Sequence, residues 1–277
     1  MNYKNRKRIF VLLSLLVLSI IIPVSWAIAD NWKILNDDSL CDEGWYNDRK
    51  GVCEVRELNI KKKWDSISVD ASPNGGISVE GWDNKNIRVK AIVKVKAESN
   101  EEAREILSNI DILTTNNTIN ARGPKLSKSR RSWTVSYRIM VPQNMDLNLT
   151  ALNGGISIQN VNGELDLKTL NGGIKLKEIS GDVDARTTNG GINAVLDGKR
   201  WRGKGMELHT TNGSVKLTIP KNYSAELEAG TVNGGIKIDF PVKVQGWIKK
   251  SLKTTLGKGG APIKARTING SINIKNG

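Results

Sequence analysis

The chain has 277 residues, 38% of them hydrophobic, with 27 Gly, 7 Pro and a formal net charge of +14. That length and apolar content support a packed core and exclude disorder by composition, and with so few prolines the glycines read as repeated turns rather than a collagen-like tract. The charge favours acidic partners such as anionic glycans, lipid head groups or nucleic acid, without choosing among them.

Residues 1–29 read as an export signal. Lys4, Arg6, Lys7 and Arg8 form a basic start, Ile9 to Val24 an apolar run of 16, and Ala27-Ile28-Ala29 a small-x-small cleavage site before Asp30. The run is short for a hydrocarbon core of ~30 Å and contains Pro23, so cleavage between Ala29 and Asp30 is expected rather than retention as an anchor. No Cys follows it to accept a lipid. The processed chain, with +10 once the four signal cations are gone, is expected in the periplasm, at the cell surface or secreted, with no transmembrane span.

Residues 30–60 hold the only two cysteines, Cys41 and Cys53, with eleven residues between them. In an exported chain a disulfide closing a polar loop outweighs a metal or redox site, since neither CxxC spacing nor enough His accompanies them. Residues 61–142 read as a β-rich cap. Ser99 and Glu102 make a capping box, and Ala103, Ile106, Leu107 and Ile110 share one face of a short helix near 100–109. Trp133, Val135, Tyr137, Ile139 and Val141 alternate as a strand that Pro142 ends, and "ASPNGGISVEGW" at 71–82 is an early, register-shifted form of the repeat that fills residues 143–277.

That repeat is a Thr-x-Asn-Gly-Gly-Ile phrase. Asn153, Asn171, Asn189, Asn212, Asn233 and Asn269 are spaced by 18, 18, 23, 21 and 36, the last being twice eighteen. Apolar residues stand three and five after each Asn, as in Ile174/Leu176, and six and four before it, as in Leu165/Leu167, so each period contains two half-buried strands. Equivalent Asn side chains one strand spacing apart can bond in a ladder, and the following Gly is expected to supply positive φ at a corner where Cβ would clash. This predicts an all-β fold, a parallel β-solenoid of about 18 residues and two strands per coil. Asn-Gly is also a hairpin signal, which keeps an antiparallel meander as the structural alternative. Calcium-binding β-rolls need a recurring Asp in the turn, and none is present. Ile272 and Ile274 read as an end coil that only the insert around Trp247 and Leu252 could cover.

The "YRIMVPQN" strand leading into Asn-Gly-Gly-Ile and Asn-Gly-Ser-Val coils, "PNGGISVEGW" upstream and "LGKGGAPIKARTINGSI" at the end resemble the bacterial putative-adhesin family of exported β-strand-repeat proteins, largely a domain of unknown function. The likeness covers roughly residues 53–277. It implies an exported, non-catalytic β-solenoid.

Function would lie in the outward columns. Four after the Asn stand Ser157, Lys175, Asn193, Lys216, Lys237 and Asn273, making Lys175, Lys216 and Lys237 the candidate anion-binding face for an anionic polysaccharide or lipid head groups rather than a specific nucleic acid. Other cation clusters are Lys61-Lys62-Lys63, Arg130-Arg131, the Lys199 to Lys204 stretch and Lys249-Lys250. On the other face an acidic column with Asp166 and Asp184 runs beside a basic one with Lys168 and Arg186. This arrangement suits charge pairing, and the alternative is an enzyme acting on an anionic polysaccharide. His209, the only histidine, stands in an outward repeat position, which suits neither a triad nor a zinc centre. No cofactor or metal is implied. The leading expectation is an adhesin-like binding or structural module; an accessory role in envelope-stress signalling is a further alternative.

Overall fold

The structure, a computed structural model, describes residues 32–35, 38–41, 50–61, 64–126, 130–242 and 250–277. The signal segment, the Ala29/Asp30 junction, Trp247 and Lys249 lie outside the described residues. No helix among the described residues is long and apolar enough to cross a membrane.

Each Asn marks one coil of a parallel β-solenoid. A long strand runs into the corner, as in Asn162–Asn171, and a short one leaves it, as in Ile174–Lys177. Long strands pair in parallel with the long strands of neighbouring coils, forming what we call the entry sheet, and short strands form the exit sheet. The antiparallel meander is thereby excluded. Register keeps the apolar columns aligned, Leu147 with Leu165 with Val183 and Ile156 with Ile174 with Ile192. The inward residues of both sheets therefore merge into one buried cluster running the length of the stack.

The coils do not stack in chain order. The strand Pro262–Asn269 lies between Gly205–Asn212 and Ala225–Asn233, and Ile272–Asn276 lies between Val215–Ile219 and Ile236–Ile238. After the Asn233 coil the chain returns antiparallel along Ser251–Leu256, outside Ala225–Asn233, and then fills the vacant slot. The interval of 36 thus reflects an excursion and return. Ile272 and Ile274 are interior, not an end coil, and the edges at this end are Ser251–Leu256 and Ile236–Ile238.

Three side-chain features hold the corner. Each Asn donates Nδ2–H to Oδ1 of the Asn in the coil before it, in the order Asn233, Asn269, Asn212, Asn189, Asn171, Asn153, at 2.8 Å per step. The chain of amides ends on Asn74 at 3.1 Å. The Thr two residues earlier, at 169, 187, 210, 231 and 267, is buried and donates its hydroxyl to the carbonyl of the first corner Gly of the preceding coil at 2.7 to 2.9 Å. The first Gly is required by close approach, not by positive φ. None of Gly154, Gly172, Gly190, Gly213, Gly234 and Gly270 has a left-handed φ, but a Cβ on any of them would fall 1.7 to 2.0 Å from the carbonyl oxygen of a neighbouring coil. At the second position that distance is 3.1 to 3.2 Å for Gly155, Gly173 and Gly191, which is why Ser214 and Ser271 are tolerated there.

The segment at 71–82 is the first coil rather than part of a cap. Ser66–Asp70 pairs with Asp146–Asn153, Ile77–Trp82 pairs with Ile156–Gln159, and Asn74 bridges to Asn153. Its incoming strand has one extra residue before the Asn, because Ile67 rather than Ser68 aligns with Leu147. On the far side of this coil Ser132–Pro142 pairs in parallel with Ile77–Trp82, and Ile87–Ala97 and then Lys50–Ile60 extend the exit sheet, each antiparallel to the strand before it. The hairpin of Asp111–Thr115 and Thr118–Arg122 extends the entry sheet. Helix Asn100–Ser108 starts at Ser99, whose hydroxyl accepts from the Glu102 N–H, and it buries Ala103 and Ile106 against the cluster. Arg56 ties it down by donating to the Ile110 carbonyl at 2.6 Å.

This stacking sets the cost of breaking the corner. Asn269→Ala should cost as much as Asn171→Ala, about 0.5–1.5 kcal/mol for two exposed amide bonds, and Asn233→Ala, which makes one ladder bond among the described residues, clearly less. Urea midpoints rank the three. Gly172→Ala should cost about 2 kcal/mol or more through backbone overlap, while Gly173→Ser should stay within about 1 kcal/mol; equal midpoints for these two would contradict the close-approach account.

Candidate anion-binding face

The outward side of the exit sheet is built from rows that cross its strands. The row two after each Asn has no side chains through Gly76, Gly155, Gly173 and Gly191, which leaves a trench above the corner. The next row, four after the Asn, reads Ser78, Ser157, Lys175, Asn193, Lys216, Asn273, Lys237 in spatial order. Insertion of the last coil therefore makes Lys and Asn alternate, putting Lys175, Lys216 and Lys237 about 10 Å apart, two strand spacings each. Upstream the same row continues through Arg138 and Lys90.

Where trench and row meet the N-terminal segment they form an open concavity of about 530 Å³. Gly76, Gly155 and Gly173 with Ser78, Ser136 and Ser157 make its floor. Lys94, Arg138 and Lys175 supply cations to its walls, and Leu40 closes one side. Leu40 is held there by the Cys41–Cys53 disulfide, whose Cα atoms are 5.8 Å apart. The disulfide thus fastens a short 3-10 turn, Asp38–Leu40, to the exit-sheet strand Lys50–Ile60. The pairing of the two cysteines was legible in the sequence, but the wall it makes was not.

The outward side of the entry sheet is different. Asp166, Asp184 and Glu207 stand on adjacent strands, continued by Lys264 and Glu228. Each cation of the neighbouring row turns back to them, Lys168 to Asp166 at 2.8 Å and Arg186 to Asp184 at 2.7 Å, both two residues along one strand, and Arg266 to Glu228 at 4.0 Å across strands. Asp166, Asp184 and Glu207 line an open cleft of about 370 Å³ with Glu164 and Asp182. Among the described residues no three His, Cys, Asp or Glu side chains are grouped to hold a metal ion. Lys264 donates to Glu207 at 2.8 Å, and that bond, helped by Arg186 and Arg266, holds the Glu207 carboxyl below the usual carboxylate range despite its desolvation. A general acid needs the opposite shift. The Arg186 guanidinium is pushed up, chiefly by its bond to Asp184. His209 lies between Arg186 and Arg266 in the basic row.

Residues 57–275 match the family model described as Toastrack DUF4097. The chain belongs to the Toastrack DUF4097 family. Among solved structures it is similar to a "putative cell adhesion protein" from Clostridium sporogenes, at 14% identity over 83% of this chain and 100% of that one, with a TM-score of 0.44. It is also similar to a "putative adhesin" from Bacteroides fragilis, at 15% identity over 80% and 96% with a TM-score of 0.37. A "putative lipid binding protein" from Parabacteroides distasonis matches at 11% over 81% and 96% with a TM-score of 0.33. No curated protein matches the chain. In this Toastrack chain the sequence-predicted Asn corners form one ladder, and Lys175, Lys216 and Lys237 share one row, whereas the trench beside that row had no signal beyond the absence of side chains.

A carboxyl held low in the folded state stabilises fully above the ordinary carboxylate pKa, and the benefit disappears as pH falls through the depressed value. Lys264→Gln should therefore be less stable than wild type at pH 7, with the gap closing between about pH 5 and 3. The gap should be small because Glu207 is half exposed. Urea midpoints against pH check this; a gap that widens toward acid would contradict it.

Proposed function

We propose that this chain is an exported, non-catalytic binding module whose exit-sheet face holds an extended polyanion, an anionic polysaccharide of the cell envelope or its surroundings. The observation that carries the reading is the alternating row of Lys175, Lys216 and Lys237, continued by Arg138 and Lys90, with the side-chain-free trench alongside its Lys175 end. Cations about 10 Å apart on a rigid sheet match the disaccharide repeat of an extended chain better than they match one compact ligand. The Asn residues between them offer amides to hydroxyls, and the trench admits a sugar ring where a Cβ would stand in its way. Each exposed contact is weak, so affinity must come from several at once. Export rests on the basic start, apolar run and Ala-x-Ala order of residues 1–29.

Replacing Lys175, Lys216 and Lys237 together by Gln should leave the unfolding midpoint nearly unchanged, since these side chains point away from the core. It should remove most binding to a heparin-like glycan at low salt. Wild-type binding should strengthen steeply as the Debye length grows from roughly 8 to 30 Å. A triple variant that binds as well as wild type would overturn the reading and point instead to the Lys199 to Lys204 stretch.

A further inference from the structure

The residue just before each corner Asn forms one more row across the entry sheet. In spatial order it reads Leu152, Leu170, Thr188, Thr211, Ile268, Val232. These side chains are outward and exposed: Leu152 37%, Leu170 42%, Ile268 37% and Val232 61%. They are four of the six exposed large hydrophobic residues among the described residues, gathered in one line about 24 Å long, five strand spacings. Within the corner segments themselves the charges have one sign. In the six eight-residue corner segments 150–157, 168–175, 186–193, 209–216, 230–237 and 266–273 there is no Asp or Glu. Lys168, Arg186 and Arg266 flank the apolar line on the entry side, and Lys175, Lys216 and Lys237 flank it beyond the corner.

We propose that this corner is a docking edge for the surface of an anionic lipid bilayer. Exposed apolar side chains in a ridge can enter the boundary between head groups and acyl chains, and Lys175, Lys216 and Lys237 beyond the corner meet the lipid phosphates. Lys168, Arg186 and Arg266 are each paired with a carboxylate on the side away from the ridge, so the charge that faces the lipid comes from the lysine row beyond the corner. The bare Asn and Gly of the corner put no bulk between ridge and membrane. A second copy of the chain fits less well, because edge against edge it would bring like-charged rows together. A soluble glycan has no use for the ridge. This edge is separate from the polyanion row in its requirement, an apolar phase in addition to charge.

The chain contains no cysteine beyond the disulfide pair, so a single engineered thiol can carry a polarity-sensitive fluorophore. The exported chain with Leu170→Cys so labelled should shift its emission to the blue on adding vesicles of phosphatidylglycerol and phosphatidylcholine, and should not shift with phosphatidylcholine alone. A label at Glu164→Cys, in the acidic cleft, should not respond. Replacing Leu152, Leu170, Ile268 and Val232 together by Ser should lower partition into the anionic vesicles by about tenfold or more. It should leave retention on a heparin-like glycan unchanged, so that failure here is distinguishable from failure of the polyanion reading. The proposal is overturned if the Leu170→Cys label is silent with anionic vesicles, including where the chain binds them by another part. An equal shift with neutral vesicles, or a shift produced without lipid by the glycan or by raising protein concentration, overturns it too.

Discussion

The close stacking of coils at the Asn corner is the constraint on which the rest depends. At strand spacing, about 4.8 Å, the backbone at the first corner Gly passes so near the next coil that no Cβ fits. That approach lets each buried Thr hydroxyl reach the Gly carbonyl of the coil before it, and it brings successive Asn amides within 2.8 Å. The corner therefore fixes register, and register fixes everything arranged in rows across the sheets. A slip of one residue would move every apolar column to the solvent side. The row of functional candidates is a by-product of the same geometry, since side chains held in register become rows; the trench is not, because its glycines sit at the second corner position, where Ser214 and Ser271 are tolerated.

Most of the coil was legible in the sequence because period-two apolar columns around a recurring Asn suit few folds besides a stack of paired strands. Order was not legible. Ile272/Ile274 and Ile236/Ile238 carry the same inward pattern as every other coil, so nothing in their residues says which slot each fills. The reversal of the last two coils depends on the return strand Ser251–Leu256 pairing antiparallel outside Ala225–Asn233. The first coil resembles part of a cap in the sequence because its entry strand is displaced by one residue. The role of Gly was hidden as well, because positive φ and close approach select the same residue, and only the neighbour's carbonyl distinguishes them.

The site was legible in its charges and not in its shape. Lys175, Lys216 and Lys237 stand out as a column, but their even spacing exists only because Asn273 lies between the last two. The wall formed by Leu40 depends on a disulfide to a strand that lies next to Ile92 in space and far from it in sequence. The apolar line is hidden because Thr188 and Thr211 interrupt it and because it shares its face with rows of charge. The acidic column of the entry sheet, by contrast, looks in the sequence like a place for chemistry, and its carboxylates are engaged by Lys168, Arg186 and Lys264.

A rigid row of evenly spaced cations makes a demand that a diffuse basic surface does not, because affinity must depend on how far along the row a ligand reaches. The direct test is binding of a size-fractionated sulfated glycan, from disaccharide upward, by isothermal titration at low salt. The account predicts that affinity climbs with length until the chain spans Lys175 to Lys237, about 19 Å, rises more slowly as it reaches Arg138 and Lys90, and then levels off. Affinity that is already maximal for the disaccharide, or that rises in proportion to ligand charge without a plateau, would contradict it.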